Sequence, residues 1–204
     1  EHVLRFAQQN GVKRFIFASS SAVYGDCKTM PLNESSGGEL QSPYAKSKFE
    51  IEQKIDAYFQ QGAEFLSLRF FNVYGPEQRL DSNYGAVVPI FIDRYTQGIQ
   101  PTIYGSGKQS RDFVNVRDVS RLLVDLSIGE WAQPKQSVYN VGTGQSVTIT
   151  ELASLIHELS QTNLAFEPSF QSQRAGDIEH SVASIEAIER DLNWKPEISL
   201  EDGL

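Results

Sequence analysis

Residues 42–48 have the sequence Ser-Pro-Tyr-Ala-Lys-Ser-Lys, and they follow residues 19–25, Ser-Ser-Ser-Ala-Val-Tyr-Gly. The five residues before the serines, Arg-Phe-Ile-Phe-Ala, form a short aromatic and β-branched run, which predicts a buried strand with hydroxyl groups at its carboxyl end. Ser42 and Pro43 are typical of the N-cap and the first position of an α-helix. The two stretches therefore predict a strand, a polar strand end and then a helix.

Tyr44 and Lys48 are four residues apart, so a helix places them on one face with Cβ atoms roughly 5 to 6 Å apart. An ammonium group beside a phenol favours the phenolate, which can accept a proton near neutral pH. A lone Tyr-x-x-x-Lys pattern usually marks an ordinary exposed helix pair. The serine strand end upstream of this pair argues against that interpretation and favours a catalytic pair.

Together, the serine strand end and the Tyr-x-x-x-Lys helix resemble the extended branch of the short-chain dehydrogenase/reductase superfamily. Within that branch, the chain is similar to the NAD-dependent epimerase/dehydratase family, above all to UDP-glucose and UDP-N-acetylglucosamine 4-epimerases. The resemblance implies an α/β fold: the C-terminal part of a Rossmann-type doubly wound parallel sheet plus a smaller α/β substrate-binding domain. It assigns residues 1–75 and 108–144 to the C-terminal half of the NAD-binding Rossmann domain, and residues 76–107 and 145–204 to the nucleotide-sugar domain.

The glycine-rich phosphate loop of this family, G-x-x-G-x-x-G, does not occur in the sequence. The chain opens on an amphipathic segment, residues 1–9, that predicts a helix rather than the first strand and turn of a dinucleotide fold. Gly142-Thr143-Gly144 precedes a predicted helix, but Val147 stands where the third glycine belongs, so we do not interpret it as a dinucleotide fingerprint. We therefore expect the sequence to be the C-terminal two thirds of an enzyme.

Several other elements follow from local patterns. Residues 65–71 and 137–141 predict buried strands, the second of which should rejoin the main sheet. Thr148 and Glu151 form a capping-box pattern at a helix start. Ser184 is expected to cap a last helix.

The composition narrows the class of function. The 204-residue chain has a net charge of −8 and a pI near 4.9 without a basic run, which argues against nucleic acid or an anionic membrane as a partner. It contains no apolar run long enough to span a membrane. The single cysteine, Cys27, suits a reducing compartment and predicts a cytoplasmic protein. His2, His157 and His180 lack metal-ligand spacing, so we expect no metal.

The resemblance implies a catalytic group at the strand end and on the helix. In this family the tyrosine exchanges a proton with the sugar hydroxyl, the lysine assists it and binds the nicotinamide ribose, and a strand-end serine hydrogen-bonds the reacting oxygen. The catalytic residues expected here are Ser20, Ser21, Tyr44 and Lys48. The residues expected to contact NAD, the cofactor of the family, are Ser19, Tyr44, Lys48 and Phe71.

The resemblance also implies a site for a UDP-sugar substrate. Its expected residues are Ser20, Ser21, Asn72, Ala86, Val87, Tyr104, Arg111, Arg174, Asp177 and Ser181. A flat ring such as that of Tyr104 gives a base a stacking face, and a guanidinium such as that of Arg111 can bind a diphosphate through two hydrogen bonds. Arg174 and Asp177 belong to an Arg-x-Gly-Asp element that closes over the nucleotide in this family.

Each of these residues also has an ordinary structural interpretation. Asn72 could form a turn, and residues 86–87 could simply pack. Tyr104 and Arg111 could be a cross-strand aromatic and a solvated charge. The Arg-x-Gly-Asp element could be a polar turn, and Ser181 could begin the next turn or strand.

The strand end also separates the reactions of the family. Dehydratases carry Thr-Asp-Glu where this chain has Ser20-Ser21-Ala22, and decarboxylating members usually have a glutamate in place of Ala22. Ser21 and Ala22 cannot supply the acid and base groups that elimination of water needs. The resemblance therefore implies a UDP-hexose 4-epimerase that acts through a transient 4-keto sugar, as a homodimer formed through the Tyr44 helix.

Two alternatives stay open. Without the phosphate loop, the chain could be a truncated, inactive fragment or a partner subunit, which would purify without NAD. A dehydratase or reductase of another nucleotide sugar fits the same motifs. Product analysis with UDP-glucose and UDP-N-acetylglucosamine separates the latter from an epimerase.

Overall fold

The computed structural model describes residues 2–80, 86–129, 134–174 and 176–204. The helices are α1 (His2–Gln9), α2 (Pro43–Phe59), α3 (Val87–Thr96), α4 (Val116–Ile128), α5 (Ile149–Leu159), α6 (Glu186–Leu192) and α7 (Leu200–Gly203). The strands are β1 (Arg14–Ser20), β2 (Glu64–Phe70), β3 (Asn72–Tyr74), β4 (Thr102–Tyr104), β5 (Ser110–Arg111), β6 (Phe113–Asn115), β7 (Val138–Val141), β8 (Val147–Thr148) and β9 (Ser169–Gln171). Within these ranges, none of the helices combines the length and the apolar character that spanning a bilayer requires.

A parallel sheet in the order β1-β2-β7 forms the centre of the fold. Ser19 of β1 lies opposite Arg69 of β2, which in turn lies opposite Asn140 of β7. The three strands end at the same edge, where doubly wound sheets bind their ligands. This arrangement confirms the predicted α/β fold class, and β7 confirms that residues 137–141 rejoin the main sheet.

Helices cover both faces of this sheet. Phe65 packs with α1 and α2 through Leu4, Ala7 and Ile55. The next residue, Leu66, belongs to a cluster with α4 and α6, because successive strand residues point to opposite faces. The α6 helix therefore packs on the main sheet, although the sequence assigns it to the nucleotide-sugar domain. The domain division itself stays a prediction.

The start of α2 has the geometry that the sequence predicts. Ser42 is the N-cap, and its Oγ accepts a hydrogen bond of 3.1 Å from the backbone N–H of Ala45. Pro43 occupies the first helical turn, where its missing N–H leaves no intrahelical bond unmade. The cap fixes where the helix begins and therefore places Tyr44 in its first turn.

A second core lies between α3 and α5. Its buried residues are Tyr74, Val88, Phe91, Tyr95, Ile103, Phe113, Ile149, Leu152, Ala153 and Ile156. The predicted capping box of α5 is confirmed, because Thr148 and Glu151 exchange side-chain to backbone hydrogen bonds in both directions. Ile103 of this core belongs to β4, which pairs with β9. Val147 of β8, which pairs with β5, packs against the core.

The prediction that Ser184 caps the last helix is wrong. The N-cap of α6 is Ile185, which makes no side-chain capping bond, and α7 follows α6. The backbone N–H of Ser184 instead donates to the carbonyl of Leu32 at 2.8 Å. Its position is set by this link between distant segments rather than by the helix.

Asp112 lies between β5 and β6 and is hydrogen-bonded to two segments that are distant in the sequence, residues 143–144 and Ala183. Its fully buried carboxylate accepts hydrogen bonds from the backbone and hydroxyl of Thr143, from the N–H of Gly144 and from the N–H of Ala183, at 2.7 to 3.1 Å. Burial raises the pKa of this carboxyl group, and the four hydrogen bonds oppose that rise. A Cβ at Gly142 would lie 2.7 Å from the carboxylate, so the close approach requires glycine there.

Replacing Asp112 with alanine is expected to lower the free energy of unfolding by about 3 kcal/mol, because four donors, among them the buried N–H of Ala183, lose their acceptor. Urea unfolding of both proteins measures the difference. Asp125→Ala, an exposed aspartate of α4, is the control and should change the free energy by less than about 0.5 kcal/mol. Equal midpoints for Asp112→Ala and the control would contradict this role.

Candidate active site

Lys48 and Tyr44 meet at the carboxyl end of β1. The Lys48 Nζ donates a 2.7 Å hydrogen bond to the carbonyl of Ala18 and lies 5.5 Å from the ring centroid of Tyr44. It also lies 4.8 Å from the ring centroid of Phe17. Tyr44 remains 40% exposed. The strand carbonyl thus holds the lysine beside a tyrosine that a ligand can reach.

The three serines of the strand end have different surroundings. Ser20 closes β1, and its Oγ accepts a 3.2 Å hydrogen bond from the N–H of Ala22, while Ser21 begins the 3₁₀ turn Ser21–Tyr24. The hydroxyl of Ser19 is buried and donates to Glu52. A contact between Ser19 and a cofactor would therefore have to come from its backbone.

Phe71 and Asn72 follow the end of β2. Phe71 is buried, and its ring centroid lies 6.2 Å from that of Tyr24. Asn72 begins β3, and its backbone N–H donates to the carbonyl of Asp112 at 2.9 Å. Asn72 also lines a cavity of about 270 Å³.

This cavity, which we call the nucleotide cavity, gathers most of the residues expected to bind the UDP-sugar. Its lining includes Asn72, Ala86, Val87, Tyr104, Arg111, Arg174 and Asp177. They come from segments up to about a hundred residues apart in the sequence. The fold brings them together from β3, the start of α3, β4, β5 and the segment after β9. Ala175, the second residue of the Arg-x-Gly-Asp element, lies outside the described residues.

The charged side chains of the nucleotide cavity contact other residues of the cavity or next to it. The Arg174 guanidinium lies 4.1 Å from the ring centroid of Tyr104. Arg111 forms an ion pair with Asp177 and also donates to the carbonyl of Ser110 at 2.8 Å. Burial lowers the pKa of Arg111, and the charge of Asp177 opposes that effect. The walls of the cavity therefore include two guanidinium groups and one aromatic ring.

Ser181 lies next to a different cavity. A cavity of about 300 Å³ is lined on one side by Gly176, Asp177, Ile178, Glu179 and His180, and on the other by residues that include Cys27 and Lys28. Ser181 follows this lining segment, is 6% exposed and donates its backbone N–H to the carbonyl of Ser110 at 3.2 Å. Asp177 belongs to the walls of both cavities.

Several buried polar residues behind the candidate site are not among those predicted from the sequence, among them Glu52, Arg69 and Asn140. One signal was available for Glu52, because it continues the spacing of Tyr44 and Lys48 by another four residues on the same helix face. Arg69 and Asn140 gave no local signal, since each lies within a strand. Over the described parts of the chain, no group of three or more His, Cys, Asp or Glu side chains could hold a metal.

The sequence is similar to a known protein family and to characterised relatives. The sequence profile of the NAD dependent epimerase/dehydratase family matches residues 1–142. UDP-glucuronic acid decarboxylase 1 of Xenopus tropicalis is 34% identical over the whole of this chain, which covers 48% of that protein.

The fold of this chain is also similar to solved structures of epimerases. The UDP-N-acetylglucosamine 4-epimerase of Methanobrevibacter ruminantium, in complex with UDP-N-acetylmuramic acid, is 36% identical with a TM-score of 0.85, over 96% of this chain and 60% of that one. The UDP-glucose 4-epimerase of Thermotoga maritima, with UDP-glucose, is 33% identical with a TM-score of 0.87, over 98% of this chain and 63% of that one. The chain thus spans about half to two thirds of the length of these relatives.

Proposed function

This chain belongs to the NAD dependent epimerase/dehydratase family, and we propose that it carries the catalytic pair and the nucleotide-sugar site of a UDP-hexose 4-epimerase. Two arrangements of side chains carry the proposal. Lys48 is fixed beside an accessible Tyr44 at the end of a parallel strand, while the nucleotide cavity places an aromatic ring and two guanidinium groups together. The first arrangement suits proton transfer, and the second suits a nucleoside diphosphate.

The residues around Lys48 fit the nicotinamide half of NAD. An ammonium group has three N–H donors, and the bond to Ala18 uses one of them. The others suit the hydroxyl groups of a ribose, and the adjacent Tyr44 is open to solvent. When bound there, NAD would supply a reversible hydride acceptor for the substrate.

Tyr44 and Ser20 have complementary roles in the proposed reaction. Tyr44 removes the proton from the 4-hydroxyl of the sugar as that carbon is oxidised to a ketone. Ser20 donates a hydrogen bond to the reacting oxygen, with Ser21 as a neighbouring candidate for the same role. Tyr44 gives the proton back once the ketone has been reduced on its opposite face.

Inversion requires a firm hold on the nucleotide and a loose hold on the sugar. The proposed nucleotide contacts are Asn72, Ala86, Val87, Tyr104, Arg111, Arg174 and Asp177. Arg111 and Arg174 would bind the diphosphate, Tyr104 would stack on the uracil, and all of them lie in the nucleotide cavity. With the diphosphate anchored, the 4-keto sugar can turn about its phosphate linkage and present its other face.

The strand end supports epimerisation over the other reactions of the family. A 34% identical relative is a UDP-glucuronic acid decarboxylase, so decarboxylation is the second candidate. The methyl side chain of Ala22 offers no acid or base group where decarboxylating members usually carry a glutamate, and Ser21 offers none for dehydration.

Product analysis tests the proposal. The complete gene product is incubated separately with UDP-glucose, UDP-N-acetylglucosamine and UDP-glucuronic acid, and its NAD content is measured. We expect bound NAD and 4-inverted products from the first two sugars. A pentose product would favour the decarboxylase, and an unsaturated or deoxy sugar would favour the dehydratase. An inactive protein without NAD would favour the interpretation as a fragment or partner subunit.

Replacing Arg111 with glutamine should weaken UDP binding by about 10- to 100-fold, since charge-assisted hydrogen bonds contribute about 1.5 to 3 kcal/mol. Turnover at saturating sugar should change little, because Arg111 contacts the nucleotide end. Calorimetric titration with UDP gives the affinity. Arg94→Gln, on the exposed side of α3, is the matched control. Unchanged affinity in Arg111→Gln would remove this residue from the site.

Assembly and location stay predictions. A homodimer through α2 is compatible with the exposure of Phe49 on that helix, and the single cysteine suits the cytoplasm.

A further inference from the structure

A row of buried polar side chains crosses the main sheet beside the catalytic pair. Ser19, Arg69 and Asn140 lie opposite one another on β1, β2 and β7. They are 3%, 6% and 0% exposed, respectively. Opposite residues of adjacent parallel strands point to the same side of the sheet. That side is covered by α2, because Glu52 of α2 contacts Ser19 and Arg69.

Glu52 and Arg69 form a buried, forked ion pair. The Arg69 Nε donates to Glu52 Oε1 at 3.1 Å and to Oε2 at 3.2 Å, and Nη2 donates to Oε2 at 2.7 Å. Glu52 has no exposed surface, and its Oε1 also accepts the hydroxyl of Ser19. Two parallel hydrogen bonds fix both the distance and the orientation of the two groups, which a single contact cannot do.

The remaining sides of the Arg69 guanidinium are also occupied. Its Nη1 donates to the carbonyl of Glu34 at 2.9 Å, and its plane lies 4.7 Å from the ring centroid of Tyr24. The Tyr24 hydroxyl donates to the side chain of Asn140 at 2.5 Å. Tyr24 therefore links Arg69 to Asn140, the third residue of the row. Burial lowers the pKa of Arg69, but the hydrogen bonds and charges of Glu52 and Tyr24 together outweigh burial and raise that pKa. Burial raises the pKa of Tyr24 to about 12.

This network attaches α2 to the strand end that carries Ser20. Tyr44, Lys48 and Glu52 follow one another at intervals of four residues, so they share one face of α2. Lys48 bonds to the carbonyl of Ala18, and Glu52 bonds to the hydroxyl of Ser19. Two successive turns of the helix are therefore fixed to the two residues that precede Ser20.

We propose that Glu52 and Arg69 are positioning residues, which set the location of α2 so that Tyr44 and Lys48 meet Ser20 at the reacting sugar; this rests on the function proposed above. A buried ion pair is about as stable as apolar residues of the same volume, so fold stability alone does not require it. Its geometry matters for catalysis, because a misplacement of about 1 Å can cost about 10²-fold in rate.

Glu52→Asp tests the positioning role in the complete gene product. The shortened carboxylate can keep Arg69 only if α2 moves relative to β2, which displaces Tyr44 and Lys48. We expect kcat to fall by about tenfold or more, with an unchanged KM for the UDP-sugar, since Tyr104 and Arg111 lie on other elements. Glu50→Asp makes the same change on the exposed side of α2 and should leave both constants unchanged.

A double variant, Glu52→Leu with Arg69→Met, tests whether the pair serves folding alone. Apolar replacement avoids an unpaired buried charge, so this protein should fold with a stability near that of the wild type. We still expect its kcat to fall without a change in KM. Wild-type kcat in either folded variant would overturn the proposal, and so would failure of both to fold, which would assign the pair a purely structural role.

A spectroscopic measurement tests the position of Tyr44 without relying on enzymatic activity. Tyrosine labelled with ¹³C at its phenolic carbon gives a Tyr44 resonance, which is assigned by its loss in Tyr44→Phe. We expect the resonance to shift in Glu52→Asp and to stay in place in Glu50→Asp. An unshifted resonance in Glu52→Asp would contradict the positioning role. If the wild type converts no UDP-hexose, the proposed function fails, and this resonance still tests the positioning of Tyr44.

Discussion

Tyr44→Phe in the complete gene product is expected to lower turnover by about 10²- to 10⁴-fold while the affinity for UDP-sugar barely changes. The substitution removes only the phenolic oxygen, which is the atom proposed to exchange a proton with the 4-hydroxyl. The ring and the bond from Lys48 to Ala18 stay in place. Affinity should persist because the proposed nucleotide contacts lie in the nucleotide cavity, and Tyr44 is not part of its lining.

The control for this variant is Tyr58→Phe. Tyr58 lies on the same helix near its far end, and its hydroxyl donates to the side chain of Gln8 at 2.8 Å, far from the strand end. Steady-state kinetics and UDP titration compare the two proteins. Near-normal turnover in Tyr44→Phe would show that another group transfers the proton.

Ser181→Tyr is expected to abolish activity on UDP-N-acetylglucosamine while sparing UDP-glucose. The resemblance to 4-epimerases implies that the residue four after the aspartate of Arg-x-Gly-Asp lies near the 2-substituent of the sugar. Here that residue is Ser181, which follows a segment lining a cavity of about 300 Å³. A small side chain leaves room for an N-acetyl group, and a tyrosine would fill that room. The wild type should therefore accept both sugars.

Only the activity on the acetylated sugar should be lost, because a steric clash with the N-acetyl group costs more binding free energy than the smaller sugar loses in a slightly enlarged pocket. Ser181→Ala is the control, and it should keep both activities. Because Ser181 is buried, thermal unfolding of each variant checks that the added ring leaves the fold intact. An equal loss of both activities in a folded Ser181→Tyr protein would contradict this assignment, as would a wild type restricted to the non-acetylated sugar.

Local sequence patterns predicted the parts of the site that local chemistry determines. The Ser42 cap, the Pro43 start and the Thr148–Glu151 capping box each depend on residues within one turn of helix, and the structure confirms them. The strand before Ser19 was also predicted, although β1 continues through Ser20. The shared helix face of Tyr44 and Lys48 follows directly from the cap.

Contacts between distant segments could not be predicted in the same way. Arg111 and Asp177 are 66 residues apart, and nothing near either residue indicates that they form an ion pair. The pairing of β4 with β9 depends on the path of the whole chain. Ser184 failed as a predicted helix cap because a backbone bond to distant Leu32 sets its position. Asp112 and Arg69 were missed since each supports the site through burial, which a strand or loop pattern does not reveal.

The most direct test of the proposed function follows an isotope at the reacting carbon. The complete gene product is incubated with UDP-glucose deuterated at C4, and the products are examined by NMR and mass spectrometry. An epimerase that takes a hydride from C4 and returns it must give UDP-galactose with the deuterium still at C4. Loss of the deuterium to solvent, or a product that has lost water with no 4-inverted sugar, would contradict the proposed function.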